Sequence, residues 1–478
     1  MSEFTMTIDG AAVSPPDSFD VVNPATAEVF ADAPACDRPR LDAAMAAADA
    51  AYRTWKTDDR ARQAVLREMA DALEAATDRL ASVLTAEQGK PLGDSRTEIF
   101  MSALWLRYYA DLEIPREVVQ DDERGFAEVV RRPLGVVAAI TPWNFPLLLA
   151  IWKIAPALRA GNTMVLKPSP YTPLATLVLG EVWRDVTPPG VFNVVSGLEP
   201  LGTWLTGHPT TRKVSFTGST TVGKRVAAAT AEDLKRVTLE LGGNDPAIVL
   251  EDADPQQIAE SLFWDAFRNN GQVCLAVKRV YVHESRHADL VEALAEHARK
   301  VRVGDGTKED VQLGPINNRL QFERVREMVE NALGQGAVAA AGGAPLEGPG
   351  YFYAPTILTG VTDATRIVGE EQFGPALPVL TYRDLDDAIG RANASQYGLT
   401  ASVWSPDLDR ATSVASQLDC GQVSVNTHGG AVRPDLPFGG HKWSGLGVEN
   451  GPWGLYGFTE LQVLARPARQ AFADNDNV

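Results

Sequence analysis

Apolar and polar positions change rhythm along the chain, and each rhythm predicts an element. Up to about Arg38 they alternate in short runs, the two-residue period of half-buried strands. "FDVVNPATAEVF" reads as two such runs folded around an Asn-Pro turn. From Leu41 to about Asp111 the spacing is helical, in Ala-, Leu- and charge-rich sequence, and "TEIFMSALWLRYYADL" predicts an amphipathic helix. "GFAEVVRRPLGVVAAITPW" returns to alternation and then becomes apolar, as strands do. Beyond it the two patterns take turns. "PLLLAIWKIAPALRA", "TPLATLVLGEVWRDV" and "TVGKRVAAATAEDL" read as helices, and "GNTMVLKPS", "VFNVVSG" and "KVSFTGS" as strands. This alternation between Gly135 and Glu240 predicts a parallel sheet with helices on both faces. A second α/β run extends from Leu241 to about Asn426, with no repeat period and no low-complexity linker. "ARPARQAFADNDNV" reads as a strand running out into a polar tail.

The chain has 478 residues, enough for two or three lobes with their own cores. It is 45% hydrophobic and 22% charged, like ordinary globular enzymes. A net charge of −18 argues against nucleic-acid binding and against docking on anionic membranes. It fits a soluble cytoplasmic protein. "MSEFTMTIDG" has neither a basic region nor an apolar core of signal-peptide type, and no apolar run reaches membrane-spanning length. Cys36, Cys274 and Cys420 are far apart, so neither a disulfide framework nor a zinc site is expected, and no metal is assigned.

Three stretches hold candidate chemistry. In "KVSFTGSTTVGKR" a strand ends, a Gly-rich turn follows and a helix begins, offering free N–H groups and a positive dipole end to a phosphate. Gly218 allows close backbone approach, and Ser219 adds a hydroxyl. The string is nearly a P-loop, but Arg225 stands where a Ser or Thr would hold magnesium. A turn that merely joins strand to helix is the plain alternative. In "VTLELGGNDP", Glu240 ends an apolar strand before a Gly-Gly turn. Burial there would raise its pKa and suit it to general-base work, whereas a solvent-facing strand end would not. In "FRNNGQVCLAVKR", Cys274 is a packing residue, a metal ligand or a nucleophile, with no histidine near it in sequence.

Taken together these pieces resemble the aldehyde dehydrogenase superfamily. "LELGG" and "FRNNGQVC" resemble its paired active-site signatures, with 34 residues from Glu240 to Cys274. "TPWNFP", "WKIAPAL", "LKPS", "FTGS", "EEQFGP" and "PFGGHKWSGLGVENG" match in order, over nearly the whole chain. The resemblance implies an α/β fold of two doubly wound lobes and a small oligomerisation β-flap. Residues 1–110 and 132–240 would form the dinucleotide-binding lobe and 241–445 the catalytic lobe. Residues 111–131 and 458–478 would form the flap of a homodimer or homotetramer.

The implied chemistry is NAD- or NADP-dependent oxidation of a small aldehyde to the acid. Cys274, activated by Glu240 directly or through water and by the cationic nicotinamide ring, would attack the aldehyde. Asn144 would stabilise the oxyanion, and Glu240 would also activate the water that hydrolyses the thioester. Lys153 and Glu449 match positions linked to a proton path. Trp143, Lys167, Gly218, Ser219, Gly223, Leu241, Glu371 and Phe373 would bind the coenzyme. Met101, Phe145, Leu148, Trp152, Arg268 and His428 would line the substrate tunnel. Their mostly apolar character suggests a medium-sized aliphatic or aromatic aldehyde, with Arg268 either meeting a substrate carboxylate or salt-bridged at the wall. A relative that passes the thioester to coenzyme A is the alternative, disfavoured by Glu240. Pro170 stands where many NAD-preferring members have Glu, so use of both coenzymes is expected.

Overall fold

The computed structural model describes residues 4–430 and 432–468; the end of the C-terminal flap segment, 469–478, lies outside the described residues. Its first sheet has eight strands, with a parallel centre. In spatial order that centre is Phe192–Val194, Thr163–Lys167, Val136–Ile140, Thr211–Thr217 and Arg236–Glu240. Nearly every residue of these strands is buried, because helices cover both faces, and this accounts for their continuous apolar runs. The order reverses between Val136–Ile140 and Thr211–Thr217. The chain builds outward on one side, then returns to build on the other. Such a switch point opens a crevice at the carboxyl ends of the two strands. Pro142–Asn144 follow one strand there, and Gly218–Ser219 follow the other.

The sheet is edged by two antiparallel additions. Met6–Ile8 pairs with Phe192–Val194, and Gly445–Leu446 pairs with Leu239 and Glu240. The second addition requires Gly445, since a Cβ there would lie 2.2 Å from the Leu239 carbonyl oxygen. It brings a C-terminal segment against the strand that ends in Glu240.

Helix Leu148–Ala160 is buried from Leu149 to Ala160, so it is apolar on all sides rather than amphipathic. It ends at Gly161, whose φ of 97° reverses the chain. Helix Leu92–Asp111 packs beside it, and Trp105 stacks on Trp152 with centroids 5.8 Å apart.

A seven-stranded second sheet repeats the switch between Asp245–Val249 and Thr400–Trp404. Its strand Asp245–Val249 starts just after the Gly242-Gly243 step that follows Glu240. The carboxyl edge of one sheet therefore meets the amino edge of the other. A third sheet is antiparallel, with Gly125–Pro133 between Glu117–Asp122 and Thr459–Arg466. Val118, Val119, Leu461 and Val463 are exposed on it.

Candidate active site

The segment before Cys274 has an unusual backbone. Asn269, Asn270 and Gly271 follow one another at φ 50°, 58° and 73°, all left-handed. For two non-glycine residues this costs on the order of 1–3 kcal/mol each and survives only where surroundings over-determine it. Here they do. Gln272 Nε2 donates to Asn269 O (2.9 Å) and Pro315 O (3.3 Å). Asn269 Nδ2 donates to Asn144 O (3.1 Å), and Asn144 Nδ2 donates to Gln272 O (3.0 Å). The two loops carrying Asn144 and Cys274 are thereby tied to each other.

Cys274 lies on the wall of two cavities. The larger, about 940 Å³, is lined in its depth by Met101, Phe145, Leu148, Leu149, Trp152, Val273 and Leu275. All six tunnel residues expected from the resemblance line it, including Arg268 and His428. His428 is tied down: its ring nitrogens bond Thr400 Oγ1 (2.9 Å) and Ser402 Oγ (2.8 Å). Arg268 is exposed and, among the described residues, has no ion pair at hydrogen-bonding distance, while Asp94 and Asp265 both feel its charge. Asp94, Asp265, Glu309 and Asp310 surround the cavity with Arg268 and Lys308, so acidic side chains outnumber basic ones. No pattern in the sequence marks this rim, because its segments come from distant parts of the chain.

Lys90 and Glu98 also went unmarked. They form a buried ion pair at 2.5 Å under the Asn144 loop. Lys90 Nζ donates to Asn144 O at 2.9 Å, while Glu98 Oε1 accepts the N–H groups of Leu147 (2.9 Å) and Leu148 (3.1 Å).

The smaller cavity, about 360 Å³, lies at the switch point of the first sheet. Trp143, Asn144, Gly218, Ser219, Leu241, Glu371 and Phe373 line it, together with Arg324 and Tyr397, which the sequence did not single out. Ser219 caps helix Thr220–Ala231, accepting the Val222 N–H, and the start of that helix faces the cleft. Glu371 Oε1 accepts the Gly243 N–H at 3.1 Å, and burial pushes its carboxyl up to about 7. Phe373 meets Trp143 edge-on at 5.3 Å. Lys167 and Gly223 do not line the cleft. Lys167 is buried, with Nζ donating to Pro168 O at 3.2 Å. Gly223 is a packing glycine, as a Cβ there would lie 2.4 Å from Leu241 Cδ2.

Glu240 is 3% exposed, and neither carboxyl oxygen has a hydrogen-bond partner among the described residues. Burial holds its carboxyl well above the usual range; the charge of Glu449 adds to the shift and Lys153 opposes it. Lys153 Nζ donates to Glu449 Oε1 and to Thr217 Oγ1, both at 2.6 Å, behind the cavity walls. Lys213, on the strand that carries Thr217, is pushed down to about 7 by burial and bonds Thr238 Oγ1 at 2.6 Å. Burial also pushes the Cys274 thiol up to about 12, with Asp245, Glu240 and Glu371 adding to the rise and Lys278 opposing it.

A thiol shared by a switch-point crevice and a deep apolar cavity defines an α/β enzyme equipped for covalent chemistry on a carbon substrate. The aldehyde dehydrogenase family model matches residues 12–464. A phenylacetaldehyde dehydrogenase of Pseudomonas fluorescens is 42% identical over 468 residues, covering 94% of this chain and 92% of that one. The NAD+ complex of an aldehyde dehydrogenase from Bacillus cereus matches with a TM-score of 0.95 at 36% identity, covering 98% of this chain and 97% of that one. An NADP-dependent enzyme of E. coli matches at 0.94 and 36% identity over 98% of both chains. The chain belongs to the aldehyde dehydrogenase family, has its mixed α/β fold, and is an aldehyde-oxidising oxidoreductase.

Proposed function

We propose that the protein oxidises a neutral, mainly apolar aldehyde to its carboxylic acid with NAD or NADP, through a thioester on Cys274. One observation carries this reading: Cys274 borders both cavities. An aldehyde entering from the larger cavity can bond to its sulfur while the carbon faces the smaller one.

The smaller cavity suits a nicotinamide dinucleotide. The start of helix Thr220–Ala231, with Gly218 and Ser219, presents N–H and hydroxyl donors to a pyrophosphate. Glu371 has one oxygen bound to Gly243 and the other available to ribose hydroxyls, and Phe373 and Trp143 offer flat apolar faces. Lys167 would act at the adenosine end, and Leu241, backed by Gly223, on the cleft wall. The bound coenzyme supplies the hydride acceptor.

Cys274, its proton taken by Glu240 directly or through water, adds as thiolate to the aldehyde carbon, placing negative charge on oxygen. One N–H of Asn144 is held by Gln272 O, which orients the amide so that its second N–H, with the Cys274 backbone N–H, meets that oxygen. Departure of hydride leaves an acyl group on sulfur. Glu240, ionised above its raised pKa, takes a proton from the water that attacks the thioester. Its proton then passes toward the buried Lys153–Glu449 pair. A carboxyl at position 240 favours water over coenzyme A as the acceptor.

The acidic rim disfavours anionic aldehydes, and the apolar depth favours aliphatic or aromatic ones. The relative from Pseudomonas fluorescens is named for phenylacetaldehyde, an aldehyde of that kind. The third sheet has two open edges and exposed Val and Leu side chains, features that suit association into a homodimer or homotetramer through residues 111–131 and 458–478. The first sheet with its helices, 1–110 and 132–240, would be the coenzyme lobe, and 241–445 the catalytic lobe. A cytoplasmic location fits the free thiols.

The test is turnover of phenylacetaldehyde and of a carboxylate-bearing aldehyde with NAD or NADP, with and without coenzyme A, identifying products by mass spectrometry. Free acid, a preference for the neutral aldehyde and loss of activity in Cys274→Ser are expected. An active Cys274→Ser variant, or an acyl-coenzyme A product, would overturn the reading.

A further inference from the structure

Lys278 is a buried ammonium whose direct partners are all neutral. It is 1% exposed. Its Nζ donates to the carbonyl oxygens of Gly271 (3.0 Å) and Val273 (2.7 Å), and the Phe373 ring centroid lies 5.3 Å away. Among the described residues it forms no ion pair. Burial pushes its ammonium down, opposed by the charges of Glu371 and Asp245. A buried charge hydrogen-bonded only to carbonyls carries a desolvation cost that a purely structural residue need not incur.

Both carbonyls belong to the segment that leads into Cys274, and Gly271 is the last of its three left-handed residues. Lys278 is therefore one of the groups holding that strained turn. Its charge also acts on the sulfur. Of the leading charges acting on Cys274, Asp245, Glu240 and Glu371 are negative and Lys278 is positive. His428 flanks Asp245 on its far side, Nε2 to Oδ2 3.8 Å. Of the other basic side chains around the site, Lys90 pairs with Glu98, Lys153 with Glu449 and Arg324 with Glu370, while Arg268 and Lys308 are exposed, where water screens their charge.

We propose that Lys278 is a positioning residue for Cys274: its ammonium holds the Gly271 and Val273 carbonyls so that the sulfur borders both cavities, and its charge stabilises the thiolate. The inference rests on Cys274 being the nucleophile. It deepens that assignment by naming what opposes three carboxylates and burial.

Alkylation by iodoacetamide, a neutral reagent, reads the Cys274 thiolate through its pH–rate profile, with Cys274→Ser giving the background. Alkylation requires no aldehyde and no turnover, so its outcome is independent of the substrate reading. Lys278→Gln keeps a donor without the charge, Lys278→Met removes both, and Lys278→Arg keeps both. The Gln and Met profiles should move to higher pH, slowing alkylation near neutral pH by about tenfold or more. Lys278→Arg should restore most of the rate, and coenzyme affinity should hold throughout. A Gln or Met variant alkylated on the wild-type profile, or an Arg variant no faster than Met, overturns the proposal. One measurement needs no folded variant. In labelled-lysine NMR of the wild type, Lys278 should titrate at higher pH when Cys274 is capped with iodoacetate, which leaves a carboxylate on the sulfur, than when it is capped with iodoacetamide, which leaves a neutral amide. The same titration with both caps would equally overturn it.

Discussion

Glu240→Gln isolates the deacylation step. The side chain ends the strand Arg236–Glu240, and its carboxyl oxygens have no hydrogen-bond partner among the described residues, so the isosteric amide breaks no bond. It removes the one property assigned to the position, acceptance of a proton. No substitute base stands ready, since Glu449 is bound to Lys153 through Oε1. The full worth of general-base catalysis, about 10²–10⁴-fold, should therefore be lost from hydrolysis. The middle of that range, about 10³-fold, is about 4 kcal/mol of barrier. Hydride loss does not use this carboxylate as a base, and in the single turnover that fills Cys274 the thiol proton can leave to solvent instead, more slowly. Rapid mixing with aldehyde and coenzyme should show a burst of reduced coenzyme near one per site, then near-arrest, with an acyl adduct on Cys274 in the intact mass.

Stability supplies a second reading with its own sign. The folded carboxyl pKa lies above the unfolded value of about 4.5, chiefly through burial. The contribution of Glu240 to wild-type stability is thus fullest below the unfolded pKa and is lost as pH rises through the folded one. The Gln variant does not titrate, so its Tm relative to wild type should climb as pH rises above about 4.5. A steady-state rate within about tenfold of wild type, with no acyl adduct, would refute Glu240 as the base.

Glu449→Gln removes a charge that raises the Glu240 pKa, so the rising limb of kcat against pH should move to lower pH; an unmoved limb would uncouple the two. The same change leaves the Lys153 ammonium with neutral acceptors only, the amide oxygen and Thr217 Oγ1, and no counter-charge, and should cost about 3–5 kcal/mol in denaturant unfolding. Gly223→Ala drives a methyl against Leu241 and should cost about 1–3 kcal/mol, raising the coenzyme KM more than it lowers kcat. Wild type should use NAD and NADP with less than about 100-fold preference, about 2.7 kcal/mol, and Pro170→Glu should shift kcat/KM towards NAD by repelling a 2′-phosphate. Cys36→Ser and Cys420→Ser should keep kcat within about threefold. Neither thiol lines either of the two cavities that Cys274 borders, and burial pushes both up to about 12.

What the sequence determined by itself is local. Alternation and helical spacing marked the parallel strands of the first sheet, because a strand buried on both faces must be apolar throughout. Ser219 at a helix start and the glycines near it could be read from neighbouring residues alone, since capping and backbone freedom depend on a few adjacent positions. Cys274, Glu240 and Asn144 were recognisable because each lies in a short contiguous motif. The tertiary structure decided everything that depends on charge and reach across the chain. Lys153 meets Glu449 across 296 residues, and Gly445 seals the edge beside Glu240 only because a distant segment adds to that sheet. Lys90, in the loop before helix Leu92–Asp111, and Glu98, on that helix, steady the Asn144 loop, and the acidic surroundings leave Arg268 outnumbered. Lys278 is four positions after Cys274, yet its ammonium meets the Gly271 and Val273 carbonyls only because the chain before Cys274 turns through the left-handed residues Asn269, Asn270 and Gly271. Backbone conformation follows from neighbours in sequence, but electrostatic energy follows distance and burial, and those exist only once the chain has closed on itself.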